Sequence, residues 1–231
     1  MVLQKQYLKR LTKVGKFIVW IVNGNHIRTH IDPEFTNFGQ HYRFHFIPKN
    51  EFWIDKEYSN DESDFFIDHL LTEWKLMSKG VSYDKALERA DKVEKTERAK
   101  SELAKLIKLN KKQIPSKIYR KKLKTYSHNI YIWIVNGELV RDLYFTDFTE
   151  GGHDLVYSFI PSKEVWLDDA LSIREIKFVL LHELHERYLM SHGMSYEKAH
   201  RSASKIEYKA RHKPVLTLKL IKKELKNNLS V

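Results

Sequence analysis

The chain has 231 residues, 42% of them hydrophobic and 13% aromatic, which is enough for real cores and excludes a disordered or low-complexity segment. There is no cysteine, so a disulfide scaffold, a thiolate zinc finger and a cysteine nucleophile are excluded. The formal net charge is +11, and no apolar run reaches the roughly 18 residues of a membrane-spanning helix.

Residues 1–16 carry a charge of +5 and no apolar stretch, so no secretory signal is expected and a cytoplasmic or virion-associated protein is the expectation. From Phe17 onward the chain repeats itself. A shift of 113 residues lays Phe17–Arg98 on Ile130–Arg211 without a gap, and more than a third of the aligned positions are identical. Trp20–Gly24 recurs as Trp133–Gly137, Phe46–Pro48 as Phe159–Pro161, and Leu76–Tyr83 as Leu189–Tyr196. The chain is therefore read as two domains: 1–112, a first repeat with a basic helical connector, and 113–231, a second repeat with a basic C-terminal helix.

Within the first copy, Phe17–Val22 predicts a strand, and Asn23-Gly24 predicts a hairpin turn into a second strand at His26–Ile31. Tyr42–Ile47 predicts a third strand and Phe52–Ile54 a short edge. The second copy gives Tyr131–Val135, Leu139–Phe145, Leu155–Ile160 and Val165–Leu167. Two helices follow in each copy. The first spans about Asp64–Ser78 or Lys177–Ser191 and stops at Gly80 or Gly193; the second begins after Ser82 or Ser195 as N-cap. The expected fold class is α+β: two tandem repeats, each a small antiparallel sheet followed by a helical hairpin.

The aligned copies are acidic, −4 for 17–98 and −3 for 130–211, whereas 99–129 carries +9 and 212–231 carries +4. Lys100–Lys124, with Leu103, Leu106, Ile107 and Leu109 among lysines, predicts a helix broken at Pro115. Leu216–Leu225 predicts a basic amphipathic helix. These basic segments suit nucleic acid or an anionic surface, or are solvated faces docked on the chain's own acidic units.

On a helical wheel, His182 and Glu186 project one turn apart from a face shared with Phe178 and Leu189. The first copy keeps this pair as His69 and Glu73. Such a pair on an apolar face needs a partner, either each other through a buried hydrogen bond or a shared metal. The second copy adds Glu183, His185, His192 and His200 where the first has Leu70, Thr72, Lys79 and Leu87, and His153 where the first has Gln40. His200 replaces a core leucine, so it is expected to face His182 and Glu186. His182, Glu186, His200 and His153 are the candidate ligands of a divalent metal, zinc first. Glu183 is the candidate base beside them.

The run His182-Glu183-Leu184-His185-Glu186 resembles the HExxH helix of the zincin metallopeptidases, which also follows antiparallel strands. The resemblance implies His182 as first ligand, Glu183 as general base, and His200 as the ligand supplied by a second helix. Glu186 stands where the second histidine is usual. On this reading the protein is a zinc-dependent hydrolase acting on a peptide or protein, its first repeat a degenerate copy. The alternative is a non-catalytic structural or interaction protein whose basic segments bind nucleic acid or neighbouring chains.

Overall fold

The computed structural model describes residues 5–58, 62–100, 117–127 and 129–230. The chain divides into two compact units, Met1–Lys111 with Arg141–Asp147, and Lys112–Val140 with Phe148–Val231.

In the first unit, β1 (Tyr7–Val14) and β2 (Phe17–Val22) form a hairpin, followed by α1 (Gly24–His30), β3 (Phe38–Gln40) and β4 (Glu51–Asp55). Two helices complete it, α2 (Ser63–Met77) and α3 (Tyr83–Arg98). The sheet order is β1-β2-β4-β3; the outer pairs are antiparallel and the central pair, β2 with β4, is parallel. The second copy repeats every element as β5 (Tyr119–Lys122), β6 (Tyr131–Val135), α4 (Gly137–Leu143), β7 (Gly151–His153), β8 (Glu164–Asp168), α5 (Ile173–Ser191) and α6 (Tyr196–His212), and adds α7 (Thr217–Asn227). The tandem α+β architecture is that expected from the repeat, but each sheet, expected to be antiparallel, is mixed, because the chain between its two central strands passes through α1 or α4 and does not return by a hairpin.

Several strands fall elsewhere than expected. Asn23-Gly24 starts a helix and not a hairpin. The Asn23 side chain accepts the His26 N–H at 3.2 Å, and Asn136 accepts that of Leu139 at 3.0 Å, so each asparagine is an N-cap. A Cβ on Gly24 would lie 1.8 Å from Asp55 Oδ2, and one on Gly137 1.9 Å from Asp168 Oδ2. The glycine is therefore fixed by a carboxylate at the end of the neighbouring strand. Residues 26–30, expected in a strand, are helical in α1, as are residues 139–143 in α4. Tyr42–Ile47 and Leu155–Ile160 are successions of turns, the first of which drops Phe44 and Ile47 into a core with Val22, Ile27, Phe35 and Trp53. Phe52–Ile54 and Val165–Leu167 are not edges. They belong to interior strands covered on both faces, which accounts for their unbroken apolar run.

The outer strands β1 and β5 lie in stretches read from the sequence as basic, the second of them also as helical. Tyr7 and Tyr119 mark them as equivalent. Each donates its hydroxyl at 2.8 Å to a glutamate, Glu51 or Glu164, which also accepts from Trp53 or Trp166. Their spacing is 112 residues and not 113, because the two hairpin turns differ by one residue, and the offset hides this part of the repeat. Lys9, Arg10 and Lys13 on β1 are exposed, as are Arg120 and Lys121 on β5; such charges discourage edge-to-edge pairing. Tyr119–Lys122 is thus strand where the connector was expected to be helical, while residues 101–116, including Pro115, lie outside the described residues.

The helices agree more closely with expectation. Gly80 and Gly193 take φ of 83° and 84°, the left-handed C-terminal position that glycine occupies without strain. α5 begins four residues before the expected Lys177, at a Ser172 cap whose hydroxyl accepts the Glu175 N–H. The basic tail helix is present as α7, but its inner face is buried against α5 through Ile221 and Glu224. No helix among the described residues is long and apolar enough to cross a membrane.

Candidate metal centre

α5 lies on the second unit's sheet, and its apolar residues Phe178, Val179, Leu181 and Leu184 are buried with it. This anchoring fixes the rotation of the helix and turns His182 and Glu186 toward α6. There they meet His200. His200 Nδ1 is 2.9 Å from Glu186 Oε2 and 3.2 Å from His182 Nε2, and His182 Nε2 is 3.6 Å from Glu186 Oε2. Ligand atoms about 2.0–2.1 Å from a tetrahedral zinc ion are separated by roughly 3.3 Å. The three atoms form a triangle of that size, with its third corner, His200, one-third exposed to solvent.

The orientation of His182 is set from behind. Its Nδ1–H donates to Glu207 Oε2 at 2.8 Å, which leaves Nε2 as the atom facing the triangle. Glu207 Oε1 in turn accepts from Arg211 Nε at 2.8 Å, and Arg211 forks onto both oxygens of Glu175 at 2.9 and 2.7 Å. Burial alone would raise the Glu207 carboxyl; the Arg211 charge and the bond from His182 override it and bring it down to about 2. Burial likewise disfavours charge on His182, but the Glu186 carboxylate 3.6 Å away and the bond to Glu207 outweigh that and hold its pKa well above 6.5.

Two more sequence candidates converge here. His153, on β7, is fully buried, with Nε2 3.1 Å from Glu186 Oε1. Its Nδ1 accepts the Leu155 N–H at 3.2 Å, so the ring hydrogen resides on Nε2 and is given to Glu186. In this arrangement His153 holds the carboxylate in place and the remaining Glu186 oxygen faces the two histidines. Glu186 is kept well below the usual carboxylate range: burial opposes ionisation, but hydrogen bonds from His153 and His200 and the nearby His182 ring prevail. Glu183 is buried, with a ligand atom within 4.8 Å of those of His153 and Glu186. Burial first, then the adjacent Glu186 charge, push it up to about 8.

His185 and His192 stand apart from this group. His185 contacts Ser202 and, across α7, Glu224 Oε1 at 3.2 Å. His192 caps the C-terminus of α5, with Nδ1 on the Tyr188 carbonyl at 2.9 Å.

The first unit keeps the support and changes the triangle. His69 Nδ1 is 2.8 Å from Glu94 Oε2, Arg98 Nε donates to Glu94 Oε1 at 2.8 Å, and Arg98 Nη2 pairs with Glu62 at 2.8 Å. Position for position this is the His182–Glu207–Arg211–Glu175 chain. Gln40, in place of His153, donates to Glu73 Oε1 at 2.6 Å, and leucines replace His200 and Glu183. In addition, Asp91 stands where the second unit has Ser204. Burial first raises Asp91 to about 6, and burial followed by the Asp91 charge raises Asp147 to about 7.

The supporting glutamates and arginines were not among the sequence candidates. Their signal was present: Glu94 and Arg98 recur unchanged as Glu207 and Arg211 on helices whose other polar positions mostly differ between copies. Comparison of the chain with protein-family models, with curated proteins and with solved structures gives no match, so what the site can do rests on its own geometry.

Proposed function

We propose that the second unit binds one divalent cation, zinc foremost, through His182 Nε2, Glu186 Oε2 and His200 Nδ1, and serves as a hydrolase of peptide or protein substrates. The supporting observation is the three-atom triangle with edges of 2.9, 3.2 and 3.6 Å, drawn from two helices and braced behind both His182 and Glu186. When bound, zinc supplies Lewis acidity that activates water and polarises a carbonyl. Glu183 is the group that takes the proton from that water and delivers it to the leaving amine. Its burial near Glu186 gives it the proton affinity that a neutral-pH base requires.

The test is elemental analysis together with turnover of a peptide library. The wild-type chain is expected to carry about one zinc in this unit, His200→Ala to lose it, and Glu183→Gln to keep it with turnover reduced by about 100-fold or more. A metal-free wild-type chain, or full turnover in Glu183→Gln, overturns the reading.

A second reading is favoured by the exposed Lys219, Lys222, Lys223 and Lys226 along the outer face of α7. There the protein is a non-catalytic binder of nucleic acid or another anionic surface. It predicts an association that weakens steeply with salt and is indifferent to His200→Ala.

A further inference from the structure

The first unit lacks the triangle of the second, yet its histidine sits among more carboxylates. His69 is 2% exposed, and Nε2, facing Glu73 Oε2 at 3.6 Å, takes part in no hydrogen bond. On its other side, Nδ1 lies 2.8 Å from Glu94 Oε2 and 3.8 Å from Asp91 Oδ1. Asp91 Oδ1 is sealed from solvent and also has no hydrogen-bond partner. One N–H at Nδ1 satisfies one oxygen, Glu94, and leaves Asp91 Oδ1 3.8 Å from the same ring nitrogen, beyond hydrogen-bond distance. A buried carboxylate oxygen without a donor is costly, and removal of that cost requires a proton or a cation.

The surrounding charge favours a cation. Glu73, Asp91, Glu94 and Asp147 act electrostatically on His69, and Arg98 adds a fixed positive charge beside Glu94. Arg98 binds Oε1 of Glu94, so Oε2 remains directed at His69. We infer that the first unit holds a second divalent cation, of the oxygen-preferring manganese kind, between His69 Nδ1, Asp91 Oδ1 and Glu94 Oε2. The three atoms lie within 4.8 Å of one another. An octahedral ion with bonds near 2.1 Å separates its ligands by about 3 Å when adjacent and about 4.2 Å when opposite. One nitrogen and two carboxylates suit such an ion better than they suit a thiophilic one. This is not the zinc triangle in a second copy. It uses the opposite edge of the histidine ring, and Asp91 has only a serine as its counterpart.

The probe is Mn2+ itself, added to the full-length chain carrying His200→Ala so that the second unit's triangle is broken. Free Mn2+ is counted by electron paramagnetic resonance, and broadening of the His69 ring protons reports where the ion sits. One Mn2+ per chain is expected, with selective broadening of His69. Asp91→Asn, which keeps the shape of a partly exposed side chain, is expected to weaken binding about 10-fold or more. A thermal melt of each variant, and the same Asp91→Asn exchange in the otherwise wild-type chain, separate lost binding from lost fold. No Mn2+ uptake by the folded His200→Ala chain, or unchanged affinity in Asp91→Asn, overturns the inference. Because the zinc reading is tested by His200 and this one by Asp91, either can fail alone.

Discussion

Glu207 shows how a single carboxylate fixes the chemistry of a neighbouring ring. With Glu207 holding Nδ1–H, His182 can offer only Nε2 to the triangle. Glu207→Gln keeps an oxygen for that hydrogen but loses the charge, and zinc affinity is expected to fall about 10- to 100-fold by competition with a chelating dye. The same residue gives a pH signature in the metal-free chain. Its carboxyl titrates near 2 in the fold against an ordinary 4.5, so its stabilising contribution is complete above about 4.5 and is lost as pH falls toward 2. The wild-type melting temperature should therefore drop more steeply than that of Glu207→Gln between pH 5 and pH 3. Gly24 makes a second residue-scale case. Its N–H donates to Asp55 Oδ1 at 3.2 Å, and a methyl group there meets the other oxygen at 1.8 Å. Gly24→Ala is expected to cost about 1–3 kcal/mol by denaturant unfolding, because the carboxylate must leave its position.

Among the elements, α7 clamps the helix that carries the site. Asn228, just beyond it, donates to the Leu184 carbonyl at 2.9 Å and accepts from Arg187 at 3.2 Å, so the tail is tied to α5 midway along its length. Asn228→Ala should lower stability by about 1–3 kcal/mol in a thermal melt while zinc content at saturating metal stays unchanged. The helices were legible in the sequence because their signals are local: a 3.6-residue stripe, a serine before and a glycine after. The candidate ligands on the helices were legible for the same reason, and His200 was placed beside His182 and Glu186 by one substitution of a core leucine. The sheet was not. Its strands β3 and β7 have three residues each, too short for alternation to register. Asn-Gly serves a hairpin or a helix cap equally well, and what decides between them, Asp55, lies 31 residues away. The Glu–Arg support was hidden among ordinary helical charges, since only tertiary packing distinguishes a buried i, i+4 pair from a solvated one.

At the scale of the whole chain, duplication has preserved the frame and released the contents. Both copies retain a histidine backed by glutamate, arginine and glutamate, while the groups in front of the ring have diverged into His200, His153 and Glu183 on one side and Leu87, Gln40 and Leu70 on the other. The net positive charge belongs partly to the outer strands, so basicity is a feature of the sheet edges as well as of the tail. The bracing of His182 has a calorimetric consequence. With the ring already fixed and already carrying an extra hydrogen, loading an ion is an exchange of one charge for another within an unchanged shape. Protons should then pass to the solvent as zinc enters, so the heat measured by isothermal titration at pH 7 will track the ionisation enthalpy of the buffer, and equal heats in phosphate and Tris would contradict it.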